Sequence, residues 1–357
     1  MGIGAGSTGR VRRRAARCAA LLGWTLLASA LLASASCASS AGRADSRAPR
    51  AGAHASWGAA RAAAQQGDWW RAAQLWREEH ARGLGEDPRV WIEAGEANRR
   101  AGRSEDAHDI LCSALERFPT HLPLIEARAE LAQRMGFLRA AQQDYETALA
   151  LAPERAALWR CLGEVRLALA QPEAATPALE RAVLLEPTHV PGQLLLARAA
   201  RARGAESQSA HAYARALDLA QAQRGVDAHE LARWQLEAAS LYARGELARL
   251  DPAGLERALG WAGSAAAADF SSAEAHSTHG ALLERAGDRH GAQRAYGRAL
   301  DAQGEHGPAM LALSRLYLES GDRERAGSMA RLALEVAGDE SHRKELRSVL
   351  VAAEGRR

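Results

Sequence analysis

Four groups of residues in this 357-residue sequence have types and spacings that could do chemistry. Gly4, Gly6 and Gly9 fit G-x-G-x-x-G, the turn that lays a pyrophosphate against a helix N-terminus. No strand precedes them and no βαβ unit follows, so they predict no dinucleotide site. His276 and His279 are spaced to share one helix face, as two metal ligands do, but no nearby Cys or acidic residue completes a tetrahedral set. Cys112 and Cys161 stand singly, without C-x-x-C spacing, and read as small apolar packing residues. Cys37 is different, because it directly follows the small residues Ala33-Ser34-Ala35-Ser36. No Ser-His-Asp set and no His-Glu-x-x-His motif occurs. The residues predict no catalytic centre, no metal site and no cofactor.

Ahead of Cys37 the chain has three parts: Arg10, Arg12, Arg13, Arg14 and Arg17, then an apolar stretch from Cys18 to Leu32, then the small residues. The apolar stretch falls short of the ~20 residues a membrane span needs. This arrangement resembles a bacterial lipoprotein signal, which implies a signal peptide over 1–36 and lipidation of Cys37 as the first mature residue. Ser34 departs from the pattern, which usually has Leu three places before the cysteine. Cleavage after Ala35, giving a soluble periplasmic or secreted protein, therefore stays open. Ala38 and Ser39 stand where an inner-membrane retention signal resembles Asp, which implies the outer membrane, facing the periplasm. Residues 37–52 are mostly Ala, Ser, Gly and Arg with little to bury and read as a flexible tether.

Without those five arginines the 46 basic residues fall to 41, against 43 acidic ones, so the rest of the chain is near neutral. That excludes a global attraction for nucleic acid or anionic lipid. Lys344 is the single lysine, a bias of composition with no binding chemistry in it. Abundant Ala, Leu, Arg and Glu with 5% aromatics predict helices throughout.

The helices must be repeated units. Pro119, Pro153 and Pro187 are 34 residues apart, as are Trp91, Ile125 and Trp159, then Gly95, Ala129 and Gly163, then Ala107, Ala141 and Ala175. A glycine precedes the recurring alanine by five residues in Gly67…Ala72, Gly102…Ala107, Gly136…Ala141, Gly287…Ala292 and Gly321…Ala326. Small residues at these places let two antiparallel helices cross closely, and the glycine turns the chain between them. The pattern W-x2-L-G … G … A-x3-F-x2-A … P resembles the tetratricopeptide repeat. The resemblance implies an all-α, right-handed superhelical solenoid of helix-turn-helix repeats. Over 53–338 there is room for about eight, starting near 53, 88, 122, 156, 190, 231, 273 and 307. The starts before and after 231 are 41 and 42 residues from their neighbours, so the sixth unit gains a longer first helix or a loop on its turn side. Pro177 should kink or weaken a second helix, and Ser209 replaces an expected alanine. Residues 339–357, with Leu346, Val349, Leu350 and Ala353 at helical spacing, read as a capping helix and tail.

Nothing in this plan leaves a segment of catalytic-domain size, so the expected role is binding of a protein or peptide partner and not an enzyme, an enzyme's substrate-recognition arm being the least supported alternative. In tetratricopeptide proteins the concave face, formed by the first helices, takes the partner. Carried over by repeat position, that face comprises Trp57, Arg61, Arg99, Arg100, Arg134, Arg160, Arg198, Arg201, Tyr242 and Arg315, with Glu96, Glu126, Glu130, Glu164 and Glu284 among them. Arginines there suit a carboxylate-bearing peptide. Together with the signal, the expectation is a lipid-tethered cell-envelope scaffold or assembly factor, with no nucleic acid and no small-molecule substrate as partner.

Overall fold

The computed structural model describes residues 51–82, 84–223, 225–244 and 247–355. The signal, Cys37 and residues 38–50 lie outside them. All regular structure among the described residues is helical, and the chain has an all-α helical-repeat fold. Two compact units divide it, residues 1–171 and 172–357.

In the first unit, helices pair in order: α1 (Ala51–Gln65) with α2 (Trp69–Arg82), α3 (Pro88–Arg100) with α4 (Ser104–Arg117), α5 (Leu122–Arg134) with α6 (Leu138–Leu151), and then α7 (Ala156–Ala168). Within the unit helices next to each other in sequence pack together, and α3 also touches α5, so the unit is a stack of near neighbours. The second unit continues with α8 (Pro172–Leu185), α9 (Val190–Ala202), α10 (Glu206–Ala222), α11 (Ala228–Arg244), the short α12 (Leu247–Leu250), α13 (Pro252–Ala268), α14 (Ala273–Arg285), α15 (Arg289–Ala302), α16 (Gly307–Glu319), α17 (Arg323–Val336) and α18 (Glu340–Glu354).

Local chemistry fixes where the helices begin and end. Asp87 accepts from the Arg89 N–H ahead of Pro88, Ser272 from Ala275, Asp288 from Gly291 and Asp322 from Arg325, each satisfying an otherwise orphan N–H at a helix start. Between the paired helices a six-to-one bond closes the turn, for example Arg103 N–H to Asn98 C=O at 2.8 Å and Phe137 N–H to Ala132 C=O at 2.8 Å. The residue inside that turn has positive φ: Gly67, Gly102, Gly136, Gly204, Gly287 and Gly321. Ala170 occupies the same place with φ 56° and carries a Cβ that this conformation disfavours. Ala170→Gly should therefore raise stability by about 0.5–1 kcal/mol, read as a higher urea midpoint at unchanged slope. A lowered midpoint would contradict it.

The crossings are tight. Ala72, Ala107, Ala141, Ala292 and Ala326 are fully buried, and a Cβ added at Gly280 would come within 2.9 Å of the Tyr296 ring. Ser209, at an alanine position, is also fully buried, and its hydroxyl donates to the Ala197 carbonyl at 2.8 Å across the α9–α10 crossing. α8 runs through Pro177 without interruption; the imide leaves the Glu173 carbonyl without its helical donor. The extra residues of the sixth pair are helical: α11 and α13 have 17 residues each, with four-residue α12 between them. At the C-terminus α18 lays Leu346 and Val349 into a cluster with Met310, Leu311, Ala330, Ala333 and Ala337.

Connections between pairs are tied by a device that periodicity did not reveal. The side-chain N–H of Trp91 donates to Gly85 C=O, that of Trp159 to Pro153 C=O at 2.7 Å, and that of Gln193 to Pro187 C=O. In the same place, Nε2 of buried His276 lies 3.3 Å from Phe270 C=O and must be the protonated nitrogen to bond it. Each donor reaches back six residues to hold the linker that precedes its helix.

Candidate functional site

The surface of the first helices carries most of the arginines that repeat position assigns to a groove. The structure pairs most of them with carboxylates, from their own helix or from a neighbouring one in the stack. Arg61 on α1 makes a bidentate bridge to Glu93 on α3, at 2.6 and 3.1 Å. Arg99 and Arg100 both take Glu96, whose carboxyl is held below its ordinary value chiefly by the Arg99 hydrogen bond. Glu126 on α5 accepts from Arg155 just ahead of α7. In the second unit Arg198 on α9 is bidentate to Glu237 on α11, both bonds 2.9 Å, and the Tyr213 hydroxyl donates to the same carboxylate. Burial and that carboxylate push the Tyr213 hydroxyl up to about 12. Arg315 on α16 bridges Glu284 on α14 at 3.2 Å and Glu345 on α18 at 3.8 Å. Within each unit charged rungs thus join several neighbouring repeats.

Three of the assigned arginines have no ion-pair partner among the described residues: Arg134 at the end of α5, Arg160 in α7 and Arg201 in α9. Two assigned aromatic residues are corrected. Tyr242 is 1% exposed, and its hydroxyl donates to Asp251 at 2.8 Å, so it is a core residue that supports the start of α13. The reason is the inserted segment after α11: Asp251 and Gly254, at the start of α13, lie against the Tyr242 hydroxyl and cover it. Trp57 is likewise buried, with its ring against Gly85.

The other chemical candidates are packed into the repeats. His276 holds the Phe270 carbonyl, and burial lowers the half-buried His279. Among the described residues no group of three or more His, Cys, Asp or Glu is gathered as metal ligands. Cys112 and Cys161 form no disulfide with each other and are half-buried, each beside a polar neighbour and not sealed in an apolar core. Cys112 Sγ is 3.6 Å from Nδ1 of His108, one turn back on α4. Burial raises the Cys161 thiol against the opposing charge of Arg160. Between α5 and α6 lies a charged pair with little solvent, Arg128 to Asp144 at 2.8 and 2.6 Å. Burial works against that guanidinium, yet the carboxylate keeps it well above its ordinary value.

The carboxylate partners Glu93, Glu237 and Glu345 are functional neighbours that repeat position alone passes over. Their sequence signal is opposite charge about one repeat away, 32 residues for Arg61 and Glu93 and 39 for Arg198 and Glu237.

What the helices define, within each unit, is a stacked set of helical hairpins. No family model matches the chain, and no curated protein matches it. Solved structures with similar folds include a tetratricopeptide repeat protein from Parabacteroides merdae, at 16% identity over 84% of this chain and 98% of that one, with TM-score 0.43. MamA from Desulfovibrio magneticus is 20% identical over 48% of this chain and 97% of that one, with TM-score 0.45. Yeast Tom70 is 15% identical over 80% of this chain and 59% of its own, with TM-score 0.39. Likenesses at this level say nothing of partners or activity.

Proposed function

We propose that the protein is a non-catalytic binding scaffold of the bacterial cell envelope, lipid-tethered through Cys37, whose first-helix surface takes an acidic segment of a partner protein. The observation that carries the binding part is the uneven pairing of the arginines. Where a guanidinium is already bidentate to Glu, as at Arg61 and Arg198, a partner carboxylate must displace an existing bond. Arg134, Arg160 and Arg201 meet no such competitor among the described residues. Within the first unit capture therefore centres on Arg134 and Arg160, and the rungs hold the helices that present them.

Partner capture from envelope extracts should fall sharply for Arg134→Ala with Arg160→Ala and barely change for Arg61→Ala. Equal loss in both would count against the assignment. Intact mass of the exported product, beside Cys37→Ser, tests the tether: an acyl mass on Cys37, absent from the variant, supports it. A product beginning at Ser36 without lipid would make the protein a free exported adaptor.

A further inference from the structure

The turns of the first unit carry a feature that partner capture on the first helices does not use. Trp69 and Trp70 open α2, and Trp70 is 59% exposed, a rare placement for the largest apolar side chain. Arg100 stacks over the Trp69 ring at 4.4 Å, and Arg103, in the next turn, lies over the Trp70 ring at 5.3 Å. His108 packs edge-on to Phe137, 6.4 Å between centroids, and joins the third turn, Met135-Gly136-Phe137-Leu138, to the same edge. Three turns of the later repeats read differently: Gly204-Ala205-Glu206, Gly287-Asp288-Arg289-His290 and Gly321-Asp322-Arg323-Glu324 are small or charged, and the longer sixth turn exposes an aliphatic residue, Leu250, and no aromatic one. Aromatic turns are confined to the repeats nearest Cys37.

The polar groups along this edge narrow what can cover it. Arg71, Arg103 and Arg139 have no ion-pair partner among the described residues, and Nη1 of Arg103 is buried without an acceptor. Asp68, Glu105 and Asp106 share the edge, so its charge is balanced. An indole half out of the protein beside unpaired guanidinium groups fits a layer that offers apolar depth and phosphate at the same level. That is the headgroup region of a phospholipid bilayer, where Trp and Arg settle together. Thirteen residues separate Cys37 from Ala51, a reach of at most about 45 Å. An acyl anchor at Cys37 would hold this edge at high effective concentration against the membrane, so even a weak contact becomes occupied.

We infer that the turn edge formed by Trp69, Trp70 and Arg103, continued by Phe137, is a seat on the phospholipid surface. It orients the first repeats on the membrane to which the chain is tethered. The inference rests on the tethered reading, and the two fail separately.

The test is hydroxyl-radical footprinting of the mature protein, free and on phosphatidylethanolamine vesicles, with oxidation read peptide by peptide. Leu151, 46% exposed at the far end of α6 from the turns, serves as an internal reference. The expected result is loss of Trp70 oxidation on vesicles with Leu151 oxidation unchanged. In a Trp70→Ser, Arg103→Ser variant, expected still to float with vesicles through its acyl group, the turn peptides should stay open to oxidation. Unchanged Trp70 oxidation, or equal protection of Trp70 and Leu151, would overturn the seat. Trp70 protection that appears only when a protein partner is added would overturn it too, in favour of protein docking. The acyl group is read from intact mass on the same sample; if it is missing the tether fails, and footprinting at saturating vesicle concentration still decides the seat.

Discussion

Asp144→Ala is expected to destabilise the first unit by about 3–5 kcal/mol, the largest effect of any single polar substitution here. The loss comes less from the missing bridge than from what remains. Arg128 and Asp144 have side chains only 14% and 9% exposed, and removing the carboxylate leaves a guanidinium among helices with no compensating charge. Replacing both partners with apolar residues of similar size, Arg128→Met with Asp144→Leu, should recover most of that loss. Urea unfolding followed by circular dichroism measures both. If the single variant costs under about 1 kcal/mol, the pair behaves as a surface bridge and its burial does not matter.

The second large effect belongs to the C-terminal end. Leu346 is 1% exposed and reaches from α18 into the cluster under α16 and α17. Leu346→Ala should cost about 2–4 kcal/mol through lost burial and the cavity left behind. Because a stack of neighbours unfolds from its ends, the loss should be local. Amide exchange should accelerate over α16 to α18 while α9 to α11 stay protected. Uniform acceleration through the second unit would show instead that these helices unfold as one body.

The fold type was legible because its constraints are short-range and repeated. A left-handed turn residue, a small residue where helices cross and a proline ahead of a helix recur at fixed spacing, and each has one steric cause. Side-chain roles were legible only where the helices keep a standard length. Tyr242 was assigned to the surface by counting along a regular repeat, and the inserted start of α13 covers it. The pairing of Arg61 with Glu93, or Arg198 with Glu237, depends on the relative rotation of two helices from different repeats, which no local pattern encodes. His276 shows the same limit in another form. Its spacing from His279 invites a metal, but its environment supplies a carbonyl six residues back, the same slot that Trp91, Trp159 and Gln193 fill.

The charged rungs also set how each unit responds to being pulled. The rungs join neighbouring layers of the stack at the surface, where an ion pair contributes at most about 1 kcal/mol and is weakened by salt. Beneath them, close-packed Ala, Leu and Tyr resist any sliding of one hairpin on the next. Bending is therefore soft and shear is stiff, and added salt lowers the first stiffness far more than the second. A stack built this way flexes without losing its register, and as ionic strength varies its compliance changes before its stability does.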